Sequence, residues 1–355
     1  MKLIHCADLH LDSRMESNLS VEKARERNAE ICATFTRMVR YGLEHGVKVL
    51  LISGDLFDTC RASSQMVQFV LDRIQDAGEM DVLYLRGNHD EAGDPFEGMT
   101  LPENLKFFGP DWTGYRYDDV VISGVEPENW ESFYEELNLN PWDTNIVMLH
   151  GQTSTQVGRE MICLPKLKGK GIHYLALGHI HSYQQGSLDL DGRWCYCGCL
   201  EGRGFDELGE KGFVLVDAEQ GKVKSEFVPF ASRNLQEVKV DITGLTTVTQ
   251  ILTAMEQAGS GIPSSSLVKF TLTGTHTLDT QRDFKFLEKM LEPRYYFVKI
   301  KDESCLEIAR EDYEHDISLK GEFIRMVLAS DRPQEEKEQI IRCGIQALLG
   351  QEVVL

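Results

Sequence analysis

The sequence predicts an α/β protein whose first half is built on a largely parallel β-sheet. Short apolar runs typical of strands, at 2–7, 47–53 and 82–85, alternate with segments whose apolar residues recur at helical spacing. This β-α-β-α-β order is that of parallel sheets with crossover helices. Apolar residues make up 42% of the chain and charged residues 26%, as in soluble globular proteins. At 355 residues the chain is too long for one ordinary core, so we expect two or three folding units.

The boundaries of the predicted elements follow from capping and turn residues. Ser20 is a suitable N-cap for a first helix, and Gly46 is placed to end it. The apolar face of this helix comprises Ile31, Phe35, Met38, Val39 and Leu43. A second amphipathic helix is expected over 62–77. Further strands are expected at 120–123, 145–149, 172–177 and 193–199, followed by a hairpin of 212–217 and 222–230.

After Phe230 the pattern changes to a second α/β unit. Strands at 237–242, 267–272 and 295–300 alternate with helices at 248–257 and 280–291. Two amphipathic helices within 319–349 then surround the turn Asp331-Arg332-Pro333. We therefore expect a main domain over 1–232, a small α/β domain over 233–303 and a C-terminal helical segment over 304–355.

The net charge of −20 argues against a general basic surface for nucleic acid. It does not exclude DNA, because bound divalent metal ions and a local basic strip can carry phosphate contacts. It does predict that the isolated chain binds DNA weakly and in a salt-sensitive manner.

The cysteines and the N-terminus favour a reducing compartment. Residues Met1–His5 lack the apolar stretch of a signal peptide, and no run of about 18 apolar residues is present. We therefore expect a cytoplasmic protein without membrane association, whose nine cysteines are reduced thiols. Cys195, Cys197 and Cys199 alternate along one expected strand. A zinc site there is the alternative, but the paired spacing of zinc ligands is absent, which favours buried thiols.

Five short polar motifs stand where predicted strands end. They are Asp8-Leu9-His10, Gly54-Asp55-Leu56-Phe57-Asp58, Gly87-Asn88-His89-Asp90, His150-Gly151 and Gly178-His179-Ile180-His181. Because sites in open α/β sheets form at the carboxyl ends of strands, these motifs should meet at one rim. We expect extended backbone through 8–10 and 179–181, which would place alternate polar side chains on a common face.

Each motif alone has an ordinary explanation as a loop pair, a turn or a strand-end histidine. All five together, in this order, predict a site for two metal ions. Asp, Asn and His ligands suit Mn²⁺, Fe²⁺ or Zn²⁺. Two ions about 3.5–4 Å apart would neutralise an anionic phosphodiester and lower the pKa of bound water from about 15.7 toward 7.

These motifs resemble those of the metallophosphoesterase superfamily, and within it the SbcD-type nucleases, which include the nuclease of the meiotic recombination repair complex. The opening 2–13 (KLIHCADLHLDS), the segment 202–213 (GRGFDELGEKGF) and the phrase 233–244 are typical of those nucleases. The resemblance implies a four-layer α-β-β-α sandwich, a small α/β cap, and a C-terminal helix-loop-helix that binds an SMC-type, SbcC-like ATPase. It also implies Mn²⁺-dependent exo- and endonuclease activity on DNA in repair and recombination.

The family pattern implies a role for each matching residue. One metal ion would be bound by Asp8, His10, Asp55 and His181, and the other by Asp55, Asn88, His150 and His179, with Asp55 bridging. His89 would be the catalytic histidine that binds no metal. It would protonate the leaving oxygen, or stabilise the charge developing there, during in-line attack of hydroxide on phosphorus.

Residues next to the motifs leave two interpretations open. Asp58 either accepts a hydrogen bond from a site histidine or is a solvated carboxylate at a helix start, and Asp90 either supports the site or is a turn residue. Arg14, Arg61 and Arg203 are candidate contacts for DNA phosphates, the alternative being ordinary surface charge.

Three functions therefore stay open. The chain is a repair nuclease that binds an SMC-type ATPase through 319–349, a phosphoesterase for small-molecule or nucleotide phosphodiesters, or a non-catalytic DNA-end or ATPase-binding subunit. The complete ligand set and His89 argue against the third. The terminal helices could instead pack on the protein's own core. A second copy of the chain is a further candidate partner.

Overall fold

The computed structural model of the protein describes residues 1–15, 19–59, 62–90, 93–277, 280–307 and 313–348. The candidate DNA contact Arg61 and the last residue of the predicted helical pair, Leu349, lie outside the described residues. The chain divides into two compact units, Met1–Leu235 and Gln236–Leu355. The finer division of the second unit near residue 303 stays a prediction.

The first unit contains two six-stranded sheets. The first sheet comprises β1 (Lys2–Cys6), β2 (Val49–Ser53), β3 (Asp81–Leu85), β4 (Leu105–Phe107), β13 (Gly212–Glu219) and β14 (Lys222–Pro229), in the spatial order β14-β13-β1-β2-β3-β4. Strands β1 to β4 are parallel, and the β13–β14 hairpin is antiparallel to β1. This is the predicted largely parallel sheet, extended at one edge by the predicted hairpin.

The second sheet has a parallel centre and antiparallel edges. It comprises β5 (Thr113–Tyr117), β6 (Val120–Gly124), β7 (Thr144–His150), β10 (Tyr174–Gly178), β11 (Gln184–Ser187) and β12 (Arg193–Tyr196), in the order β11-β12-β10-β7-β6-β5. Strands β6, β7, β10 and β12 are parallel, while β5 and β11 are antiparallel to their neighbours. A small parallel pair, β8 (Gln152–Ser154) and β9 (Met161–Cys163), follows β7.

The main core lies between the two sheets. Alternate residues of each strand, such as Leu3 and Leu51 from the first sheet and Ile122 and Met148 from the second, form one buried apolar cluster. His5 is also fully buried here, with its Nδ1 atom 2.9 Å from the Tyr174 hydroxyl. Burial lowers the pKa of His5 to about 3, so this histidine is a neutral core residue.

Cysteines of the predicted alternating run belong to the same core. Cys195 and Cys197 lie in the cluster between the sheets, and Cys199 is also fully buried. Burial raises the pKa of the Cys195 thiol to about 11, which makes it a poor metal ligand or nucleophile. These residues are the buried thiols that the sequence favoured.

Helices cover the outer faces of both sheets and complete four layers. Helices α1 (Val21–Glu44) and α2 (Ser64–Asp76) begin at caps Ser20 and Ser63, whose side chains accept backbone N–H groups. Gly42 of α1 lies against Ile4 of the first sheet. The short helices α3 (Phe133–Glu136) and α4 (Leu164–Leu167) share a cluster with the outer face of the second sheet. The prediction that Leu43 belongs to the buried face of α1 is wrong, because its side chain is 45% exposed.

The second unit has its own core. Strands β15 (Leu235–Asp241), β16 (Leu267–Thr273) and β18 (Phe297–Asp302) form a three-stranded sheet, and α5 (Val248–Ala258) and α6 (Phe284–Leu291) pack on it. Strands β17 (Thr275–His276) and β19 (Cys305–Leu306) form a short parallel pair. Helices α7 (Leu319–Leu328) and α8 (Gln334–Leu348) follow, and Ile324, Ile341 and Ile345 are buried between them. In the described ranges, no helix is both long enough and apolar enough to span a membrane.

Candidate metal centre

Five strand ends of the first unit bring the predicted ligands to one rim. Asp8 follows β1, Asp55 follows β2, Asn88 follows β3, His150 ends β7 and His179 follows β10. The loops are joined by backbone hydrogen bonds. The N–H of Asp8 donates to the carbonyl of Gly54 at 3.0 Å, and that of His10 donates to the carbonyl of Asp55 at 3.1 Å.

Four of the predicted ligands have backbone conformations that non-glycine residues rarely adopt. The φ angle is 51° at Asp8, 43° at His10, 52° at Asp55 and 102° at His179. Such strain persists only where the surrounding structure enforces it, and it clusters at functional sites. The prediction of extended backbone through 8–10 and at His179 is therefore wrong. The side chains are directed into the site by tight turns and not by the alternation of a strand.

Three glycines of the motifs allow the ligand loops to approach closely. A Cβ atom at Gly87 would overlap the carboxylate of Asp55, and one at Gly54 would overlap the imidazole of His150. A Cβ atom at Gly178 would overlap the backbone carbonyl oxygen of Ser53 at the end of β2. The glycines that flank the ligands are thus steric requirements of the rim.

Asp8, His10 and His181 form a first cluster, in which one ligand atom from each lies within 4.8 Å of the others. The Nε2 atoms of His10 and His181 are 3.4 Å apart. Nε2 of His10 is also 3.9 Å from Oδ2 of Asp55. The backbone N–H of His179 donates to both carboxylate oxygens of Asp8, at 2.9 and 3.2 Å, and fixes that carboxylate in place.

Asp8, Asp55 and His150 form a second cluster. Nε2 of His150 is 3.5 Å from Oδ2 of Asp55 and 3.0 Å from Oδ1 of Asn88. Nδ1 of His179 is 3.2 Å from the same Asn88 oxygen. The same oxygen of Asp55 therefore faces both clusters.

Acceptors behind three imidazoles direct their Nε2 atoms into the site. Nδ1 of His181 is 2.6 Å from Oε1 of Glu207, and Nδ1 of His10 is 3.1 Å from Oδ1 of Asp58. Nδ1 of His150 is 2.9 Å from a backbone carbonyl. Because carboxylates and carbonyls only accept, the Nδ1 atoms of His181 and His150 carry a proton, and Nε2 of each is the atom left to face a metal ion.

This donor set fits divalent cations. Two Nε2 lone pairs 3.4 Å apart repel each other unless a proton or a cation lies between them. Burial lowers the pKa of His150, but the hydrogen bond and charge of Asp55 and the charge of Asp8 outweigh burial and raise it to about 9. Burial raises the pKa of Asp55, yet its contacts with His150 and His10 bring that pKa below the usual range. The buried nitrogen and oxygen ligands thus sit in a field that attracts positive charge.

His89 lies at the solvent side of these clusters. Its backbone N–H donates to Oδ1 of Asp55 at 3.1 Å, and its Nδ1 atom is 2.8 Å from the carbonyl oxygen of Asp58. Its ring is exposed and stands edge-to-face to that of His10, with centroids 5.0 Å apart. Since Nδ1 donates to a carbonyl, Nε2 is the atom left for a substrate or an ion. His89 also forms an ion-sized cluster with His10 and Asp58, so the geometry alone admits both roles.

Residues 1–183, more than half of the chain, match the family model described as calcineurin-like phosphoesterase. The chain belongs to the calcineurin-like phosphoesterase family. It is therefore a metal-dependent phosphoesterase, a hydrolase, as the five motifs predicted. Family membership and the clusters described above support a centre for two divalent ions.

Individual relatives of this phosphoesterase include proteins of DNA repair. The uncharacterized metallophosphoesterase YhaO of Bacillus subtilis is 28% identical over 298 residues, which cover 78% of this chain and 72% of that protein. The DNA double-strand break repair protein Mre11 of Methanopyrus kandleri is 27% identical over 68% of this chain and 59% of its own length. The protein of the same name from Aeropyrum pernix is 24% identical over 68% and 64%. The chain thus spans less than two thirds of these two Mre11 proteins, and the similarity supports the predicted Mre11/SbcD-like relationship.

Two residues of the phosphoesterase site were missed in the sequence. The Glu207 carboxylate, whose side chain is 4% exposed, contacts His181. Oδ1 of Asp12 accepts the backbone N–H of Asp58 at 2.6 Å. A signal for Glu207 was present, because Arg203 and Glu207 are opposite charges four residues apart in the loop after the last strand of the second sheet.

The less certain candidates occupy distinct places. Asp58 lies beside His10, as described above. Asp90 is fully buried, and its Oδ2 atom accepts the N–H of Gly87 at 3.2 Å within the motif turn. Arg203 is 17% exposed and already paired, with its guanidinium 2.7 Å from Asp58 and 2.9 Å from Glu207. Arg14 is exposed.

Two clefts open beside the site, and both contain basic and acidic residues. The first, of about 860 Å³, is bordered by Arg14, Arg25 and Arg203, by the acidic residues Asp12, Asp58, Asp206 and Glu207, and by apolar Met15 and Val21. The second, of about 830 Å³, reaches Asn88 and His150 and is bordered by Glu126, Glu128, Glu131, Glu160, Arg86 and Arg159. Arg86 is paired with Glu126 and Arg159 with Glu160, so Glu128 and Glu131 leave the second cleft acidic.

Replacing Gly87 by alanine should disrupt the centre. Gly87 does not have positive φ, so alanine is not strained by its own backbone angle, but its Cβ atom would overlap Oδ1 of Asp55 and lie 2.6 Å from the backbone nitrogen of Asp55, so Asp55 must move. We expect Mn²⁺ affinity, measured by isothermal titration calorimetry, to fall by at least about tenfold. Gly109→Ala is the matched control, because a Cβ atom there meets no neighbour. Equal Mn²⁺ binding by the two variants would contradict the proposed position of the Asp55 ligand.

Proposed function

We propose that this phosphoesterase is a Mn²⁺-dependent DNA exo- and endonuclease that acts in DNA repair. The observation that carries the proposal is the convergence of seven candidate ligands on one rim, with the exposed His89 beside them. The similarity to proteins named DNA double-strand break repair protein Mre11 supports DNA as the substrate.

The two clusters support the division of ligands that the family pattern implies. We assign Asp8, His10, Asp55 and His181 to one ion, and Asp55, Asn88, His150 and His179 to the other. The position of the Asp55 oxygen, 3.9 Å from His10 Nε2 and 3.5 Å from His150 Nε2, suits a bridging ligand. When bound, two such ions neutralise a phosphodiester and make water acidic enough to supply hydroxide near neutral pH. The mixed oxygen and nitrogen ligands suit Mn²⁺, with Fe²⁺ and Zn²⁺ as alternatives.

His89 is suited to handle the proton of the leaving group. The Asp58 carbonyl holds its Nδ1–H, so a proton on Nε2 can be given to the oxygen that leaves phosphorus. The backbone N–H of His89 meanwhile donates to Asp55, which ties the acid to the metal-binding loop.

The first cleft is the better path for a DNA strand. Arg14 and Arg25 are exposed there and make no hydrogen bond or ion pair in the described structure, so their charges are available to phosphates. The second cleft repels a polyanion through Glu128 and Glu131.

A small phosphodiester is the second candidate substrate. The net charge of −20 and the acidic second cleft favour a compact anion that does not have to lie along the surface. Hydrolysis of a bis-aryl phosphodiester without cleavage of single- or double-stranded DNA would select this alternative.

The C-terminal helices are the proposed contact for an SMC-type ATPase. Their facing sides are used internally, since Ile324, Ile341 and Ile345 are buried together. Leu319 and Met326, seven residues apart on α7, are 72% and 66% exposed. An apolar stripe of this kind suits the side of a coiled coil.

Replacing His89 by alanine should abolish catalysis and keep both metal ions. We expect Mn²⁺-dependent cleavage of DNA and of a bis-aryl phosphodiester to fall by about 10²–10⁴-fold, the usual contribution of a general acid. Calorimetric titration with Mn²⁺ should still show two ions bound per chain. Fewer than two ions in the variant would make His89 a ligand and not the acid.

Arg14→Ala and Arg25→Ala should weaken binding to DNA in a salt-dependent manner. Each lost phosphate contact should reduce the slope of log K against log[salt] by about 0.9 for duplex DNA. Fluorescence anisotropy across a salt series measures this slope. Arg193→Ala is the matched control, because Arg193 is an exposed arginine at the start of β12, the strand end opposite the rim. Unchanged slopes for both cleft variants would remove this cleft from the DNA path.

Deleting 319–355 should abolish capture of the SMC-type ATPase and leave Mn²⁺-dependent nuclease activity intact. Met326→Glu should weaken capture in the full-length chain, because it places a charge in the proposed apolar contact. Leu190→Glu is the control, since Leu190 is fully exposed on the first unit. Pull-down by the purified ATPase is the measurement. Retained capture by the truncated chain would refute the docking proposal.

A further inference from the structure

Two carboxylates lie directly behind two of the histidines at the site. Asp58 Oδ1 is 3.1 Å from Nδ1 of His10, and Glu207 Oε1 is 2.6 Å from Nδ1 of His181. Both histidines are assigned to the same metal ion under the proposed function. That ion therefore depends on two carboxylates that come from loops 149 positions apart in the sequence.

Arg203 joins the two carboxylates. Its NH1 group donates to Asp58 Oδ1 at 2.7 Å, and its NH2 group donates to Glu207 Oε1 at 2.9 Å. Its backbone N–H donates to the other oxygen of Glu207 at 2.6 Å. The resulting chain, His10–Asp58–Arg203–Glu207–His181, has a cation at its centre and an imidazole at each end. We call the three central residues the Asp58–Arg203–Glu207 clamp.

The clamp is anchored at Asp58, whose side chain is 28% exposed, and is more deeply buried at Arg203 and Glu207. The backbone N–H of Asp58 donates to Asp12 at 2.6 Å. The side chains of Arg203 and Glu207 are 17% and 4% exposed. A planar guanidinium can hold two carboxylates at fixed separation, which a flexible ammonium group cannot do as well.

The carboxylates of Asp58 and Glu207 each contact an imidazole on one side and the guanidinium of Arg203 on the other. A charged carboxylate behind Nδ1 holds the proton on that nitrogen and makes Nε2 the stronger ligand.

We propose that Arg203 is a positioning residue, which holds Asp58 and Glu207 against His10 and His181 so that both Nε2 atoms face one metal ion. The proposal rests on the proposed function for the identity of that ion's ligands. It also replaces the predicted contact of Arg203 with DNA phosphate, since its guanidinium is already engaged by two carboxylates.

The clamp predicts an asymmetric loss of metal. In Arg203→Met and Glu207→Gln, calorimetric titration with Mn²⁺ should show one of the two sites weakened by about 10- to 100-fold, the usual effect of losing a group behind a ligand. The other site, bound by Asn88, His150 and His179, should keep its affinity. Electron paramagnetic resonance should change from a coupled Mn²⁺ pair to an isolated ion at one equivalent of metal or above. Arg203→Lys should restore part of the affinity.

Arg193→Ala is the control for removing an arginine away from the rim, and it should keep both ions. Glu207→Gln nearly preserves shape, so it remains informative if Arg203→Met fails to fold, as judged by circular dichroism. Variants of Arg203 and Glu207 that retain two sites within twofold of wild type would overturn the proposal.

A second measurement separates the clamp from the proposed function. Nitrogen NMR of labelled histidines in the metal-free protein, at alkaline pH where imidazoles are neutral, reports which ring nitrogen carries the proton. We expect Nδ1–H for His10 and His181 in wild type, and mixed tautomers in Arg203→Met. If His10 and His181 each have a single tautomer in a wild-type protein that binds fewer than two ions, the clamp is supported and the dimetal function is contradicted. If the tautomers are the same in Arg203→Met as in wild type, the clamp alone is contradicted.

Discussion

The first unit depends on one electrostatic constraint: lone pairs and carboxylates are concentrated where five strands end. Asp8 and Asp55 are 1% and 2% exposed, and His10 is fully buried between them and His181. Uncompensated carboxylates in such a place are costly, so positive charge must be supplied. The raised pKa of His150 has the same cause, because a proton on its ring supplies positive charge next to the buried carboxylates. Metal binding and stability of the rim are therefore coupled, because the ion supplies the charge that the buried carboxylates lack.

The fold meets this constraint with stiff backbone. The strands beneath the rim are buried and hydrogen-bonded on both sides, so the short loops at their ends start from fixed positions. Positive φ at four ligands and missing Cβ atoms at three glycines then bring the loops within contact distance. N–H groups of His179 and His89 complete the support by fixing Asp8 and Asp55. A loop without these restraints could not hold ligands of like charge together.

The sequence predicted the strands and the ligand motifs well, because apolar runs and polar motifs at their ends are local signals. β2, β3, β7 and β10 lie within three residues of the predicted bounds at each end. It failed where three-dimensional context decides. The backbone at Asp8 and His10 has positive φ, and the residue types Asp-Leu-His do not predict that conformation. Leu43 has the helical spacing of the buried face but is 45% exposed. Glu207 lies 26 residues after His181, and only the folded second sheet brings them together.

The two sides of the centre depend on different parts of the chain. The side with His10 and His181 rests on the loop that carries Arg203 and Glu207, which follows the second sheet, and opens to the cleft bordered by Arg14 and Arg25. The side with Asn88 and His150 rests on the loops after β3 and β7 and opens to the acidic cleft. Arg14 and Arg25 border the first cleft beside Asp12 and Asp206, whereas Glu128 and Glu131 border the second. Under the proposed function, and in a chain of net charge −20, the two exposed arginines favour approach of a phosphodiester strand from the side of His10 and His181.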